Sequence, residues 1–306
     1  MKKFLTIFLT ILLCLTSLFS LTACNDGSVS GDSIVNPKEK TVKVGYLEDY
    51  GPLNYTYRGK LDGFNTRLAI LIFNALGYEV TFVPVKVEKA EDVYTALNGT
   101  IDCFWGGLSD GYLFDSSKAD FSYRYMENSL CIVSNTLNTD FIETFEDLSG
   151  KSVCYSTNSV ANNYIKQNLA SFTENNVGLI EYEKEQDYAL FEVNKIISPG
   201  ANFAIVDTLF ALYSIKNEYT NCTINLDKAD KTAYKFDQTN YLRVVFPKKT
   251  DDNDLTKKNK LRDDVNVMLK ALYDTNVLQD LADTYTYTVS SETIKLTNYL
   301  YTADFN

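Results

Sequence analysis

The chain has 306 residues, a formal net charge of −11 and no histidine. An acidic chain lacks the basic surface that phosphate binding needs, so nucleic acid is excluded as a partner. The absence of histidine excludes Ser-His-Asp and Cys-His catalytic arrangements, and no pair of cysteines has the spacing of a zinc site. We therefore expect neither a metal nor a cofactor.

The first 23 residues predict export. Lys2 and Lys3 provide a basic start, and residues 4–19 form an apolar run that Thr and Ser interrupt and that is short for a membrane span. Residues 21–24 read LTAC, which resembles the bacterial lipobox, whose cysteine is acylated after the signal is removed. We expect a lipid anchor at Cys24 that holds the protein on the outer face of the cytoplasmic membrane. An ordinary signal peptide with an incidental Cys24 is the alternative.

The segment after the signal predicts a tether that leads into a soluble body. Residues 24–40 are rich in Gly, Ser, Asn and Asp and have no apolar periodicity. Residues 1–23 hold two of the 29 basic residues and none of the 40 acidic ones, which leaves a formal net charge of −13 for the rest. No second long apolar run follows, and the remaining length suffices for two domains.

The body begins with strands that alternate with helices. The pattern predicts a strand over 41–46, a hairpin over 51–60, a helix with Leu68, Leu71, Ile72 and Ala75 on one face, a strand over 78–85, a helix over 92–97 and a strand over 101–105. We expect Asn65 to be the N-cap of the first helix and Gly77 to end it. This order predicts a parallel α/β sheet.

The pattern then restarts and predicts a second α/β unit. Its elements are strands over 130–133, 151–155, 179–182 and 202–207 and helices over 160–170 and 187–197. A further strand over 242–246 precedes two closing helices. Their apolar faces are formed by Leu261, Val265, Met268 and Leu272 and by Val277, Leu278, Leu281 and Ala282.

The body contains four cysteines, Cys103, Cys131, Cys154 and Cys222, and the first three fall in strand-like runs. We expect them to be buried free thiols. In an exported chain one or two disulfides are the alternative, and the sequence does not choose among the pairings.

Seven segments of the body resemble one protein family in their order and spacing. They are residues 44–52 (VGYLEDYGP), 59–64 (GKLDGF), 99–102 (GTID), 106–109 (GGLS), 120–122 (DFS), 147–153 (DLSGKSV) and 203–207 (FAIVD). Together they resemble the solute-binding proteins of polar amino acid uptake systems, family 3, over residues 41–285. The resemblance implies the type II periplasmic-binding-protein fold, in which two α/β lobes joined by a two-strand hinge hold a ligand between them.

The resemblance also implies a domain division and a function. Residues 41–128 and 237–306 would form one lobe, and residues 129–236 the other. The protein would be a monomeric, non-enzymatic receptor on the extracytoplasmic side of the membrane. It would capture a small polar, amine-bearing solute and deliver it to an ABC permease.

Residues at the expected cleft have chemistry that suits such a ligand. Gly106, Gly107 and Ser109 follow a strand, where glycine lets a ligand approach the backbone, although a tight turn explains the glycines equally well. Asn158, Ser159 and Val160 open a helix whose N–H groups suit an anion. Ser159 is also explained as an ordinary N-cap.

The resemblance assigns roles to two further residues. Tyr50 matches an aromatic residue that covers the side chain of the ligand, and surface packing is the alternative. Asp207 ends an apolar strand, so its buried carboxylate needs a cation or hydrogen-bond donors. The matching aspartate of the family holds the amino group of the ligand, whereas a helix N-cap is the alternative role.

One position departs from the family. The family places an arginine seven residues after the second glycine, where it binds the α-carboxylate of the ligand in a bidentate pair. This chain has Phe114 there. Arg124, near the expected hinge, is a candidate substitute, with an ordinary surface role as the alternative. A cationic or amine-bearing ligand without a carboxylate therefore competes with an amino acid.

Two other functions are compatible with this fold. A sensory receptor would signal to a membrane kinase or cyclase instead of serving a permease. A dehydratase would need a general acid in the cleft, for which Glu48, Asp49 and Asp110 are candidates by position. The neighbouring genes distinguish transport from sensing, and an assay with prephenate or arogenate tests the dehydratase.

Overall fold

The structure of the chain is a computed structural model, which describes residues 40–110, 115–157, 159–183, 186–194, 201–225, 236, 239–248, 256–289 and 292–305. The expected signal peptide, Cys24, Phe114 and Asn158 lie outside the described residues. Within them, no helix has both the length and the apolar character of a membrane span. The same residues contain no group of His, Cys, Asp and Glu that is suited to a metal ion.

A first α/β unit opens the described chain. Its elements are β1 (Lys40–Tyr46), β2 (Tyr55–Tyr57), β3 (Lys60–Asp62), α1 (Phe64–Ala75), β4 (Tyr78–Pro84), α2 (Ala90–Leu97), β5 (Cys103–Phe104) and β6 (Ala119–Phe121). β1 lies parallel to both β4 and β5, and β2 and β3 form the predicted hairpin. Val42 and Val44 are buried whereas Lys43 is exposed, because successive side chains of a strand point to opposite faces.

The start of α1 shows that the predicted cap is wrong, because Gly63 and not Asn65 is the N-cap. Gly63 has a φ of 122°, and a Cβ there would lie 2.3 Å from the carbonyl oxygen of Leu53, so only glycine fits. The carbonyl oxygens of Pro52 and Leu53 accept hydrogen bonds of 2.9 Å from the N–H groups of Phe64 and Asn65. The preceding loop thus replaces a side-chain cap.

A second α/β unit follows one connecting strand. The connecting strand is β7 (Met126–Glu127). The elements of the second unit are β8 (Leu130–Asn135), β9 (Ser152–Ser156), α3 (Val160–Gln167), α4 (Leu169–Glu174), β10 (Gly178–Tyr182), α5 (Gln186–Asn194), β11 (Phe203–Asp207), α6 (Thr208–Asn217) and β12 (Cys222–Ile224). The sheet has the order β10-β9-β11-β8-β12. β9 is parallel to both of its neighbours, whereas β8 is antiparallel to both of its own. The sequence patterns predicted neither α6 nor β12.

The chain then returns to the first sheet. The returning elements are β13 (Tyr241–Leu242), β14 (Val245–Pro247), α7 (Thr256–Asp274), α8 (Val277–Asp283), β15 (Thr286–Val289) and β16 (Glu292–Lys295). β14 inserts between β5 and β6, which completes the order β4-β1-β5-β14-β6. β13 pairs with β7, so two neighbouring strands connect the units. We call the unit of the first sheet lobe 1, the unit of the second sheet lobe 2, and β7 with β13 the hinge. The predicted α/β fold of two lobes and a two-strand hinge is confirmed.

The four cysteines of the body are free and buried, as expected from the sequence. Burial raises the pKa of the Cys131 thiol and of the Cys222 thiol to about 12. Both thiols therefore stay protonated at neutral pH, and a protonated buried thiol is a poor nucleophile.

The C-terminal segment, residues 296–305, packs along the hinge. Leu300 forms a β-bridge with Met126 of β7, and the N–H of Tyr301 donates to the carbonyl oxygen of Tyr125 at 3.1 Å. β7 consequently has β13 on one side and the C-terminal segment on the other. This packing ties the end of the chain to the strand that leads into lobe 2.

Arg124 attaches the end of this segment. Its guanidinium donates to both carboxylate oxygens of Asp304, with Nη2–Oδ1 at 2.6 Å and Nε–Oδ2 at 3.0 Å. The guanidinium also lies over the rings of Tyr241 and Tyr301, 5.0 and 4.5 Å from the centroids. Burial alone would raise the pKa of Asp304, but hydrogen bonds from the side chain and backbone of Arg124 outweigh it and lower that pKa.

Replacing Asp304 tests how much the Arg124–Asp304 pair contributes to the free energy of unfolding. Asp304→Asn should lower the free energy of unfolding by about 1 kcal/mol at pH 7, because the bidentate pair is partly exposed. The pKa of Asp304 is lower in the folded protein than the usual carboxyl pKa of 3.8. The stabilisation by the pair is therefore complete above pH 3.8 and disappears as the pH falls through the folded-state pKa of Asp304. Urea unfolding between pH 7 and pH 3 measures both effects.

Asp264→Asn is the matched control, because Asp264 pairs with Lys260 on the exposed surface of α7. We expect a loss of about 0.5 kcal/mol or less. Equal losses for the two variants, or a loss for Asp304→Asn that does not shrink in acid, would contradict the assignment.

Candidate functional site

The two lobes meet at Tyr50, in the loop between β1 and β2. Its ring packs on the backbone of Gly107, where an added Cβ would lie 3.2 Å from Tyr50 Cδ1. On the other side it stacks on Phe210 of α6 in lobe 2, with centroids 5.9 Å apart and an interplanar angle of 23°. Tyr50 and Phe210 are only 9% and 8% exposed. One buried apolar cluster thus extends from lobe 1 into lobe 2.

The loop that carries Tyr50 is held by a buried asparagine. The carbonyl oxygen of Tyr50 accepts hydrogen bonds from the N–H groups of Leu53 and Asn54, at 3.0 and 2.9 Å, which closes a tight turn. Asn54 is fully buried, and its Nδ2 donates to the carbonyl oxygens of Trp105 and Gly106. These bonds join the Tyr50 loop to the segment after β5 and place the tyrosine over the two glycines.

Asp207 lies opposite Tyr50, at the end of β11. Its side chain is buried, and its Oδ2 accepts a hydrogen bond of 2.7 Å from the hydroxyl of Tyr50. Asp207 occupies the N-cap position of α6, yet its side chain makes no capping hydrogen bond. The carboxylate therefore faces lobe 1 instead of serving its own helix, and the buried position expected for Asp207 is confirmed.

Asn128 connects the hinge to this contact. Its Oδ1 accepts a hydrogen bond of 3.1 Å from the N–H of Leu209, in the first turn of α6. Its Nδ2 donates to the hydroxyl oxygen of Tyr50 at 3.4 Å. The backbone N–H of Leu209 can only donate, so it fixes which end of the amide faces the tyrosine. A hydroxyl that accepts from Asn128 has its proton available for Asp207.

The two glycines after β5 are required by packing within the chain. A Cβ at Gly106 would lie 2.0 Å from Phe104 Cζ, and one at Gly107 would lie 2.6 Å from Leu53 Cδ1. Gly107 also has a φ of 90°, which side chains disfavour. Close packing against Phe104, Leu53 and Tyr50 explains both glycines, and their contact with a ligand stays a prediction.

Ser109 lies where lobe 1 reaches the hinge. It forms a β-bridge with Leu242 of β13, and its side chain is 2% exposed. Its hydroxyl has no hydrogen-bond partner among the described residues. A buried hydroxyl in this position has the capacity to bond to a ligand, which is the role expected from the sequence.

Ser159 is the N-cap of α3, which is the alternative role that the sequence offered. Its hydroxyl accepts from the N–H of Asn162 at 3.3 Å and donates to the carbonyl oxygen of Ser156 at 2.6 Å. Val160 follows as the first residue of the helix and is buried. The hydroxyl of Ser159 thus serves its own helix and the end of β9, and anion binding at this helix start stays a prediction.

Arg124 is engaged by residues other than Tyr50 and Asp207. Its guanidinium is bound to Asp304 and stacked on two tyrosines beside the hinge. The hydrogen bond to Asp304 is also the main reason why the pKa of Arg124 is raised. A role as a carboxylate clamp would require Arg124 to leave this carboxylate, and that role stays a prediction.

Further contacts join the lobes beside Tyr50. The rings of Tyr55 in lobe 1 and Tyr213 in lobe 2 lie 5.0 Å apart, and Tyr213 also packs on Gly51. Lys216 of α6 donates to the carbonyl oxygen of Thr286 in β15 at 2.9 Å. Helix α6 therefore supplies Phe210, Tyr213 and Lys216 to this interface.

Sequence analysis missed Asn128 and Phe210. Phe210 lies in an apolar run directly after β11 whose helical spacing could have predicted α6 and its buried face. Asn128 has no comparable signal. Its role depends on the hinge, which brings residues far apart in sequence to one place.

Comparisons with known proteins agree with this architecture. Residues 42–288 match the model of a family described as "Bacterial extracellular solute-binding proteins, family 3". A probable histidine-binding protein of Campylobacter jejuni is 28% identical over 250 residues, which cover 80% of this chain and 90% of that protein. The arginine-binding extracellular protein ArtP of Bacillus subtilis is 31% identical over 157 residues, which cover 50% of this chain and 55% of that protein.

A solved structure supports the fold. It is an ABC uptake transporter substrate-binding protein from Streptococcus pneumoniae with bound histidine. The TM-score is 0.60 at 20% sequence identity, and the match covers 80% of this chain and 92% of that one. The two-lobe architecture is therefore that of the periplasmic binding proteins.

Alanine at Gly107 tests the packing under Tyr50. Gly107→Ala should lower the free energy of unfolding by about 2 kcal/mol or more, because it combines a positive φ with a Cβ too close to Leu53. Gly59→Ala is the matched control, since Gly59 has a φ of 75° and no atom near its added Cβ. We expect about 1 kcal/mol there. Equal losses in urea unfolding would show that packing against Leu53 and Tyr50 contributes nothing.

Proposed function

We propose, since the chain belongs to the bacterial extracellular solute-binding proteins of family 3, that it is a receptor for an amino-acid-like solute with an amino group. The receptor closes two lobes around the solute and delivers it to an ABC permease. It performs no chemical reaction on the solute. It works as a monomer that a lipid holds on the outer face of the cytoplasmic membrane.

The observation that carries this proposal is the buried carboxylate of Asp207 between the lobes. A buried charge is stable only with a cation or with hydrogen-bond donors. The Tyr50 hydroxyl supplies one donor, and an ammonium group of a ligand would supply up to three with a full positive charge. An amine that enters between the lobes would therefore find its strongest partner at Asp207.

The relatives support the amino acid class. A histidine-binding and an arginine-binding protein are similar to this chain over 250 and 157 residues, respectively. Both names denote ligands with an α-amino group. Asp207 at the end of β11 offers the chemistry that such a group requires.

Recognition of a ligand carboxylate rests on weaker groups. The chain has Phe114 in place of the family arginine, and Arg124 is engaged by Asp304. The buried hydroxyl of Ser109 and the start of α3 remain as neutral donors. Hydrogen bonds from neutral donors are weaker than a bidentate arginine pair. We therefore infer that the amine contributes more to affinity than the carboxylate does.

Replacing Asp207 tests the amine site. A thermal-shift screen of amino acids and polyamines first identifies the solute that raises the melting temperature. Asp207→Ala should then weaken binding of that solute at least 100-fold in calorimetry, because removing one member of a buried charge pair costs about 3 to 5 kcal/mol. Glu174→Ala removes one negative charge from an exposed site in lobe 2 and is the matched control. Equal affinity of the two variants would contradict the amine site.

Ligand analogues test whether the amine of the ligand contributes more to affinity than its carboxylate does. If the best solute is an amino acid, its deaminated analogue should lose more affinity than its amide, because the amide keeps the group that binds Asp207. Calorimetry with the three compounds gives the ranking. A larger loss for the amide would contradict the proposal and would indicate that a cation such as Arg124 binds the carboxylate.

The lipid anchor has its own test, at Cys24. Cys24→Ala should prevent acylation and release or mislocalise the protein, and Cys14→Ala, within the apolar run of the signal, should not. Mass spectrometry of the membrane-extracted protein identifies the modification. An unmodified Cys24 in that fraction would contradict the anchor.

A further inference from the structure

We propose that the Tyr50 hydroxyl acts as an internal competitor for the amine of the ligand. It binds Oδ2 of Asp207 across the cleft, and an amine that takes Oδ2 must displace it. The first statement depends only on the hydrogen bond between Tyr50 and Asp207. The second rests on the proposed function, because it assumes an amine-bearing ligand at Asp207.

The polarity of the hydrogen bonds directs the hydroxyl proton toward Asp207. The N–H of Leu209 donates to Asn128, Asn128 donates to the Tyr50 hydroxyl, and that hydroxyl donates to Oδ2 of Asp207 at 2.7 Å. In this series Asn128 and Tyr50 therefore each accept one hydrogen bond and donate one.

The contact has the environment of a strong hydrogen bond. Asn128, Asp207 and Tyr50 are 1%, 3% and 9% exposed, so water has little access to the carboxylate on this side. A hydrogen bond to an ionised acceptor in such surroundings is stronger than one between neutral groups. A ligand ammonium approaching Oδ2 has to replace this donor, which reduces its net gain.

The ring of Tyr50 is held independently of its hydroxyl. Gly107 lies under the ring and Phe210 stacks on it. Tyr50→Phe therefore removes the competing donor and leaves the aromatic surface in place. The contact between Tyr55 and Tyr213 still joins the lobes in that variant.

Tyr213→Phe provides the matched control. Tyr213 is half-buried in the same interface and packs on Gly51. Its hydroxyl makes no hydrogen bond to the residues that the structure describes. The change removes one interfacial phenol hydroxyl without touching Asp207.

The first experiment is a double-mutant cycle in urea, on ligand-free protein, with Tyr50→Phe, Asp207→Ala and the double variant. Tyr50→Phe should raise the unfolding equilibrium constant about tenfold or more when Asp207 is present and much less when it is replaced. Tyr213→Phe should give equal changes in the two backgrounds. Equal changes for Tyr50→Phe in the two backgrounds would overturn the proposal.

The second experiment is calorimetry of wild type, Tyr50→Phe and Tyr213→Phe with L-arginine, L-histidine and putrescine. Tyr50→Phe should bind whichever of these amines the wild type binds about tenfold or more tightly, because the competing donor is gone. Tyr213→Phe should match the wild type. Unchanged or weaker binding by Tyr50→Phe would overturn the competition.

The two experiments separate the inference from the proposed function. Coupling in the cycle without binding of any amine to either protein would support the bond across the cleft and contradict the amine receptor. Amine binding without coupling in the cycle would support the receptor and overturn the internal competitor.

Discussion

The cost of burying the Asp207 carboxylate shapes the contact between the two lobes. A charge in this position needs donors that stay in place when the surrounding side chains exclude water. The protein supplies one from the opposite lobe, the hydroxyl of Tyr50, and orients it through Asn128 of the hinge. Lobe 1, the start of α6 and the hinge are thereby connected through three side chains.

The C-terminal segment adds a second constraint on the same hinge. Leu300 lies beside β7, and the Arg124–Asp304 pair attaches the end of the chain to the approach of that strand. The family model ends at residue 288, so this segment lies beyond the matched region. β7 is thereby contacted on both sides, by β13 and by the C-terminal segment. The two lobes are thus connected by contacts at two places, the cleft and the hinge.

Local patterns predicted most elements because they report which face of a strand or helix is buried. The faces of α7 and α8 and the N-cap at Ser159 are examples, since each depends on residues within one or two turns. The predicted cap at Asn65 was wrong because Leu53 and Pro52, in the preceding loop, supply the acceptors. The helix α6 was missed although its apolar run follows β11 directly.

The sequence by itself determined the α/β class, the two-lobe division implied by its motifs and the burial of an aspartate at the end of β11. Those properties follow from hydrophobic periodicity and from short motifs that keep their order along the chain. Only the tertiary structure decided that Asp207 faces Tyr50 and that Arg124 faces Asp304. These partners are 157 and 180 residues apart. Hydrogen bonds act over about 3 Å, so the folded path of the chain, and not its local pattern, decides which donor reaches which carboxylate.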